Sequence, residues 1–318
     1  GDWREDAARR DFTMNAIYAD ADGNLFDPFD GYQDLVAGRV RFIGDPAARI
    51  AEDALRILRF FRFHAWYGPD EGTGPMDAAG LAACRAWVAR LAILSRERVR
   101  DEILRLLGAP NPGPTVAVMM QAGVLPAVLP EAVLVDRLDG LVALERALKM
   151  NDPLRRLGAL LPDGAGDVGA RLRLPKRDQL RLAEMILPRD EIAPGKSDNP
   201  FNRRMRALHY SLGREAFLDH LLLNWAERGA SPRDKSWRAF LKAADVWPRP
   251  EFPLRGRDAL ALGVKPGPQV GDLLGELELW WASRDFRPSR SDLLERLEWR
   301  LKTGTGAHFH SPSHEPKG

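Results

Sequence analysis

A chain of 318 residues is long enough for two or more domains and a substantial core. Its 45% hydrophobic and 29% charged residues are those of an ordinary globular protein, and no stretch of about 18 apolar residues offers a membrane span. A net charge of +2 does not announce a nucleic-acid partner, and one cysteine, Cys84, excludes an internal disulfide and metal sites built on cysteine clusters.

The opening stretch "REDAARRDFTMNAIYA" (Arg4 to Ala19) runs from acids and paired arginines straight into an apolar segment, and reads like the middle of a structure. "NAIYADADGNLFDPFDG" predicts a β-hairpin turning at Asp22-Gly23. "RVRFIG" (Arg39 to Gly44) is a second short strand. After Pro46 the pattern is helical almost to the end. A long helix is expected from Ile50 to Tyr67. Another follows in "LSRERVRDEILRLL", with Ser95 as N-cap and Val99, Ile103, Leu106 and Leu107 at helical spacing. Breaks near Ala109, Pro162, Lys196 and Trp247 suggest boundaries near 110 and 250. The stretch 303–318 lacks periodicity and is expected to be a disordered tail, its His308, His310 and His314 included.

Basic residues gather in three patches: Arg96, Arg98, Arg100 and Arg105; Arg171, Arg173, Lys176, Arg177 and Arg181; and Arg203, Arg204 and Arg206. Such patches can follow a phosphate backbone on a near-neutral protein, or form solvated helix faces.

The helix "EDALRILRFFRF" carries the chemistry. Ala54, Ile57, Leu58 and Phe61 share one arc, a core face, while Leu55, Phe60 and Phe63 make the remaining arc apolar too. Between them Asp53, Arg56, Arg59 and Arg62 recur every third residue as a charged stripe. Asp53 is expected to pair with Arg56, leaving Arg59 and Arg62 without a local acid. Three arginines within two turns then favour a phosphate-bearing ligand, with acids from elsewhere in the chain as the alternative. An Asp–Arg pair also offers an acceptor beside donors, an edge that suits adenine and cytosine and rejects guanine and uracil.

"RRDFTMNA" (Arg9 to Ala16), "DPFDGYQDL" (Asp27 to Leu35), "RFIGDP" (Arg41 to Pro46) and "EDALRILRFFRF" (Glu52 to Phe63) follow in that order. Together they resemble the bacterial class II CCA tRNA nucleotidyltransferase/poly(A) polymerase family. "AGVLPAVLPE" (Ala122 to Glu131) and "GRDALALGVKPGPQVGDLL" (Gly256 to Leu274) resemble its later segments. The resemblance implies a mainly α fold with a small β-hairpin remnant of a nucleotidyltransferase α/β head at 1–45. A helical neck at 46–110, a body at 111–250 and a tail at 251–302 would follow. It implies addition of CMP and AMP from CTP and ATP to the 3′ end of tRNA, with Mg²⁺, in the cytoplasm.

By the same resemblance Arg10 and Asp11 hold the triphosphate and ribose, Asn15 supports that turn, Asp53 and Arg56 read the base, and Arg59 and Arg62 complete the nucleotide site. RNA contacts are expected from Arg96, Arg98, Lys176, Arg177, Arg181, Arg203, Arg204 and Lys265, the last at a turn entering a helix. The sequence departs from the family in lacking the Asp-x-Asp metal ligands ahead of "RRD"; Asp20-Ala21-Asp22 sits downstream, at the hairpin turn. The metal ligands are therefore expected upstream of Gly1, no catalytic residue is expected within the chain, and the chain alone is expected to be inactive. A poly(A) polymerase adding AMP alone and a non-catalytic RNA-binding protein are the alternatives.

Overall fold

The computed structural model describes residues 2–187, 192–195 and 201–303. Lys196 and residues 304–318, with the three tail histidines, lie outside the described residues. The chain forms two compact units: Gly1–Ala193 with Leu218–Asp234, and Pro194–Phe217 with Lys235–Gly318. Among the described residues no helix is long and apolar enough to cross a membrane.

The first unit begins with α1 (Trp3–Arg9), capped by the Asp2 carboxylate, which accepts the Arg4 N–H. A 3-10 turn, Thr13–Asn15, leads into β1 (Tyr18–Ala19), which pairs antiparallel with β2 (Leu25–Phe26) in the register Tyr18↔Phe26. Asp20 closes that hairpin by accepting from the N–H groups of Asp22 and Asn24. In α2 (Gly31–Val36) the first residue must be glycine, because a Cβ there would stand 2.1 Å from the Thr13 carbonyl oxygen. The buried Asp34 carboxylate accepts from the Thr13 hydroxyl (2.6 Å) and Arg41 Nε (2.8 Å), fastening the segment. The strand expected at Arg39–Gly44 is reduced to one bridge, Phe12↔Phe42, flanked by the bonds Thr13 N–Arg41 O and Ile43 N–Asp11 O.

The long helix expected from Ile50 to Tyr67 is two helices, α3 (Pro46–Glu52) and α4 (Leu55–Tyr67). Asp53 stands between them with extended backbone (φ −151°, ψ 109°), and its carboxylate accepts the Leu55 N–H at 3.0 Å. A short acidic side chain that captures a backbone donor competes with helix continuation, so Asp53 starts α4 instead of lying within a longer helix. Both apolar arcs of α4 are buried: Ile57, Phe60 and Phe61 completely, Leu58 almost so. Phe12 meets Phe42 and Phe63 with ring centroids 4.9 Å apart, and Phe42 stacks on Phe60 at 5.6 Å. These rings weld the N-terminal segment to α4.

The unit continues through α5 (Pro69–Gly72), α6 (Ala78–Ala86), a 3-10 turn at Val88–Ile93, and α7 (Arg96–Leu107). The Ser95 hydroxyl caps α7, whose Val99, Ile103, Leu106 and Leu107 are buried as their spacing predicts. Then come α8 (Gly113–Gln121), α9 (Val124–Val128), α10 (Val135–Leu148), α11 (Pro153–Leu160), α12 (Val168–Arg171) and α13 (Lys176–Met185). Arg156 of α11 donates to the Leu107 and Ala109 carbonyls at 2.6 and 2.7 Å, so the chain on both sides of residue 110 packs together.

A buried ion network sits beneath these helices. Glu145 accepts from Arg155 and Arg156, each at 2.7 Å, while Asp219 accepts from Arg155 at 2.7 Å and from Arg181 at 2.8 Å. Arg181 also reaches Asp152 at 2.5 Å.

α14 (Arg203–Glu227) bends at Gly213, whose φ is 78°, and contributes residues to both units. The second unit adds α15 (Lys235–Val246), α16 (Gly256–Ala261), α17 (Pro268–Ser283) and α18 (Arg290–Thr303). Its core joins Tyr210, Leu254, Leu277, Trp281, Leu293 and Leu297. Arg206 and Asp285 close a two-bond ion pair at 2.7 and 2.8 Å.

Candidate nucleotide site

The N-terminal segment and α4 meet along the charged stripe. Asp11 is the hinge of the arrangement. Its carboxylate is 5% exposed; one oxygen accepts from the Asn15 amide and the Phe12 N–H, both at 3.0 Å, and the other from Arg59 Nε at 2.5 Å. Burial alone would raise its pKa, but the Arg59 guanidinium and the two further donors outweigh it and hold the carboxyl below its ordinary value. Arg59 is correspondingly held more firmly protonated, because Asp11 and Glu102 outweigh its own burial.

Two expectations about the stripe are corrected. Asp53 does not pair with Arg56. It pairs with Arg98 of α7 at 2.6 Å, because the break at Asp53 turns its side chain from the (i, i+3) position that a continuous helix would supply. Arg56 instead binds Glu52, the Arg49 carbonyl at 2.9 Å and the Arg9 carbonyl at 3.1 Å. Nor are Arg59 and Arg62 short of acids: Arg59 has Asp11, and Arg62 donates to Glu102 at 2.6 Å. Glu102 also lies 3.9 Å from Arg59. The arginine stripe is therefore held apart by carboxylates from distant segments, and mutual repulsion no longer calls for a ligand.

What the geometry leaves is a preorganised row of charge. Asn15, Asp11, Arg59, Glu102 and Arg62 form one connected group, while Arg10, Arg56 and Asp53 flank it with partners of their own. Arg10 is exposed, leaning on Asp6 at 3.2 Å and over the Tyr18 ring. Asp53 and Arg98 are partly exposed, so the carboxylate and guanidinium present an edge to solvent.

Glu102 was missed by the reading of the sequence, although a signal existed. It falls between Val99 and Ile103 on the apolar face of α7, where an acid requires a partner. Arg98, expected on an RNA surface, is exposed and also pairs with Asp53.

Among the other RNA candidates, Arg96, Lys176 and Arg177 are exposed in the first unit, and Arg203, Arg204 and Lys265 in the second. The first two basic patches are tied together: Arg173 pairs with Glu97 at 2.5 Å, and Arg100 donates to the Arg173 carbonyl at 2.5 Å. Arg181 is corrected. Its side chain is 16% exposed and committed to Asp152 and Asp219, which takes it out of any phosphate-facing surface.

The acids of this site do not fit a divalent ion. Asp11 and Asp53 each spend both oxygens on protein donors, Asp20 closes the hairpin turn, and no group of three or more His, Cys, Asp or Glu among the described residues is placed to hold a metal.

The family described as "Poly A polymerase head domain" matches residues 1–41, and that described as "Probable RNA and SrmB-binding site of polymerase A" matches residues 76–134. The mitochondrial CCA tRNA nucleotidyltransferase 1 of Mus musculus is 29% identical over 303 residues, covering 93% of this chain and 67% of the relative. The multifunctional CCA protein of Halorhodospira halophila is 43% identical over 129 residues, 40% of this chain and 30% of the relative. In fold, the chain resembles the Bacillus stearothermophilus CCA-adding enzyme solved with CTP, with a TM-score of 0.69 and 24% identity over 95% of this chain and 75% of that one. The Thermotoga maritima CCA-adding enzyme complexed with tRNA gives a TM-score of 0.59 at 19% identity, over 95% and 74%. The motifs, the mainly helical fold with its small N-terminal hairpin, and these likenesses agree: the chain is similar to the CCA tRNA nucleotidyltransferase/poly(A) polymerase family in sequence and to CCA-adding enzymes in fold.

Proposed function

We propose that this chain carries the nucleotide-recognition and RNA-binding parts of an enzyme that completes the 3′ CCA end of tRNA from CTP and ATP. The observation that carries the reading is the Asp11–Arg59 ion pair, which fixes the "RRD…N" segment against the helix that Asp53 begins. In this reading Arg10 binds the triphosphate. Asp11, locked by Arg59 and Asn15, sets the backbone turn beside the ribose. The Asp53 carboxylate accepts from the exocyclic amino group of cytosine or adenine, and Arg56 donates to the adjacent ring nitrogen on exchanging its Glu52 partner for the base. Arg98 orients Asp53, and Arg62 with Glu102 keeps the row in place.

The reaction class is attack of the RNA 3′ hydroxyl oxygen on the α-phosphorus, with cleavage of its bond to pyrophosphate. The described acids offer no metal site, and the roles assigned to this chain are recognition and positioning. A cytoplasmic location suits a chain with a single cysteine, Cys84, which can form no internal disulfide.

The family descriptions name poly(A) polymerase, which favours one second reading, addition of AMP alone. The native gene product, given tRNA ending before CCA, tests both. Incorporation of CMP, followed by a stop after three nucleotides, supports CCA addition. Incorporation of AMP alone supports the poly(A) reading, and tight RNA binding without either leaves an RNA-binding protein.

A further inference from the structure

The charged stripe of α4 does not end at Arg62. At 100° per residue Arg59, Arg62 and Trp66 fall within about 60° of one another, so the same face passes from guanidinium to indole. There a groove of about 430 Å³ opens between the C-terminal ends of α4 and α7, lined by Arg62, Trp66, Tyr67, Leu104 and Arg105. Trp66 and Tyr67 are 42% and 47% exposed. The Trp66 Nε1–H donates to the Arg105 carbonyl at 2.8 Å, which fixes the plane of the indole, and Tyr67 rests on Phe63 with ring centroids 5.6 Å apart. The Arg105 guanidinium is exposed and has no ion-pair or hydrogen-bond partner among the described residues. Trp66 and Tyr67 lie outside both family matches, 1–41 and 76–134.

Oriented aromatic faces beside an uncommitted arginine suit a ligand that is flat, apolar on its faces and anionic along its backbone. A single-stranded nucleotide has that chemistry, and stacking on aromatic rings tolerates any base. We propose that this groove holds an unpaired base near the 3′ end of the RNA, stacked on Trp66 and Tyr67 with its phosphate at Arg105. The ten residues from Arg56 to Trp66 span about 15 Å of helix, roughly the length of four stacked nucleotides at 3.4 Å each. The groove is thus a rail for the single strand that leads to the nucleotide site. This rests on the RNA reading above.

The test uses the full chain and two labelled RNA minihelices, one blunt and one with four unpaired nucleotides at its 3′ end. Anisotropy titration is expected to show tighter binding of the overhang. Trp66→Ala and Tyr67→Ala each weaken that binding roughly tenfold while leaving the blunt RNA unchanged, and Trp66→Phe retains most of it. Photo-crosslinking from 4-thiouridine in the overhang to the wild-type chain is expected to map to Trp66 or Tyr67, a readout independent of how the variants fold. If the wild type prefers the overhang but the alanine variants match it and the crosslink maps elsewhere, the groove is not the rail, and the RNA reading survives. An equal loss on both RNAs, with a crosslink elsewhere, also overturns the rail. If the wild type binds neither RNA, the RNA reading itself fails.

Discussion

Arg59 Nε on α4 lies 2.5 Å from Asp11 Oδ2 in the N-terminal segment, joining residues 48 apart in sequence. Removing Arg59 leaves a buried carboxylate without its countercharge. Arg59→Ala is therefore expected to lower stability by about 3 kcal/mol, the range for breaking one side of a buried pair, as a shift in urea midpoint. Asp11→Ala combined with Arg59→Ala should lose less than the sum of the single changes. Additive losses would show that the pair does not couple.

The same pair sets a pH dependence. The folded-state pKa of Asp11 lies below its ordinary value, so the stability it confers is complete above the unfolded carboxylate's pKa. That stability is lost as pH falls through the depressed folded value. Urea unfolding followed from about pH 6 to pH 3 should show a smaller loss for Asp11→Asn than for the wild type. Identical slopes would remove Asp11 from the acid sensitivity.

Arg98 holds the Asp53 carboxylate at 2.6 Å. Asp53→Ala should loosen the choice among nucleotides more than it weakens RNA binding, and Arg98→Ala should reproduce part of that loosening by freeing Asp53. Competition of the four nucleoside triphosphates against one labelled analogue measures both. An Arg98→Ala variant with intact selectivity would show that Asp53 needs no orienting partner.

The second basic patch divides into two kinds of residue. Arg181 belongs to the buried network with Asp152 and Asp219, so Arg181→Ala should lower the melting temperature while the salt slope of RNA binding stays unchanged. Lys176 and Arg177 are exposed, and replacing either by alanine should flatten that slope by about one unit. A flattened slope for Arg181→Ala would place it on the RNA path after all.

How much of this was legible in the sequence follows from the range of each interaction. The hairpin, the Ser95 cap and the buried positions of α7 are local, and their spacing carried them. The every-third-residue stripe of Asp53, Arg56, Arg59 and Arg62 was equally visible. Its partners were not, since Asp11, Glu102 and Arg98 come from 48, 40 and 45 residues away, and helical periodicity says nothing about such pairings. The break at Asp53 was hidden because a carboxylate that caps α4 has the same letter as one that continues α3. Arg181 looked like its exposed neighbours, because its commitment to Asp219 depends on packing between α13 and α14.

The most direct test of the central claim is equilibrium titration of the chain with CTP, ATP, GTP and UTP, in the wild type and in Asp53→Ala. Binding of CTP and ATP is expected well above that of GTP and UTP in the wild type, with that gap narrowed in Asp53→Ala. Equal binding of all four by the wild type, or a gap untouched by the substitution, would contradict the assignment of Asp53 and its stripe to reading the base.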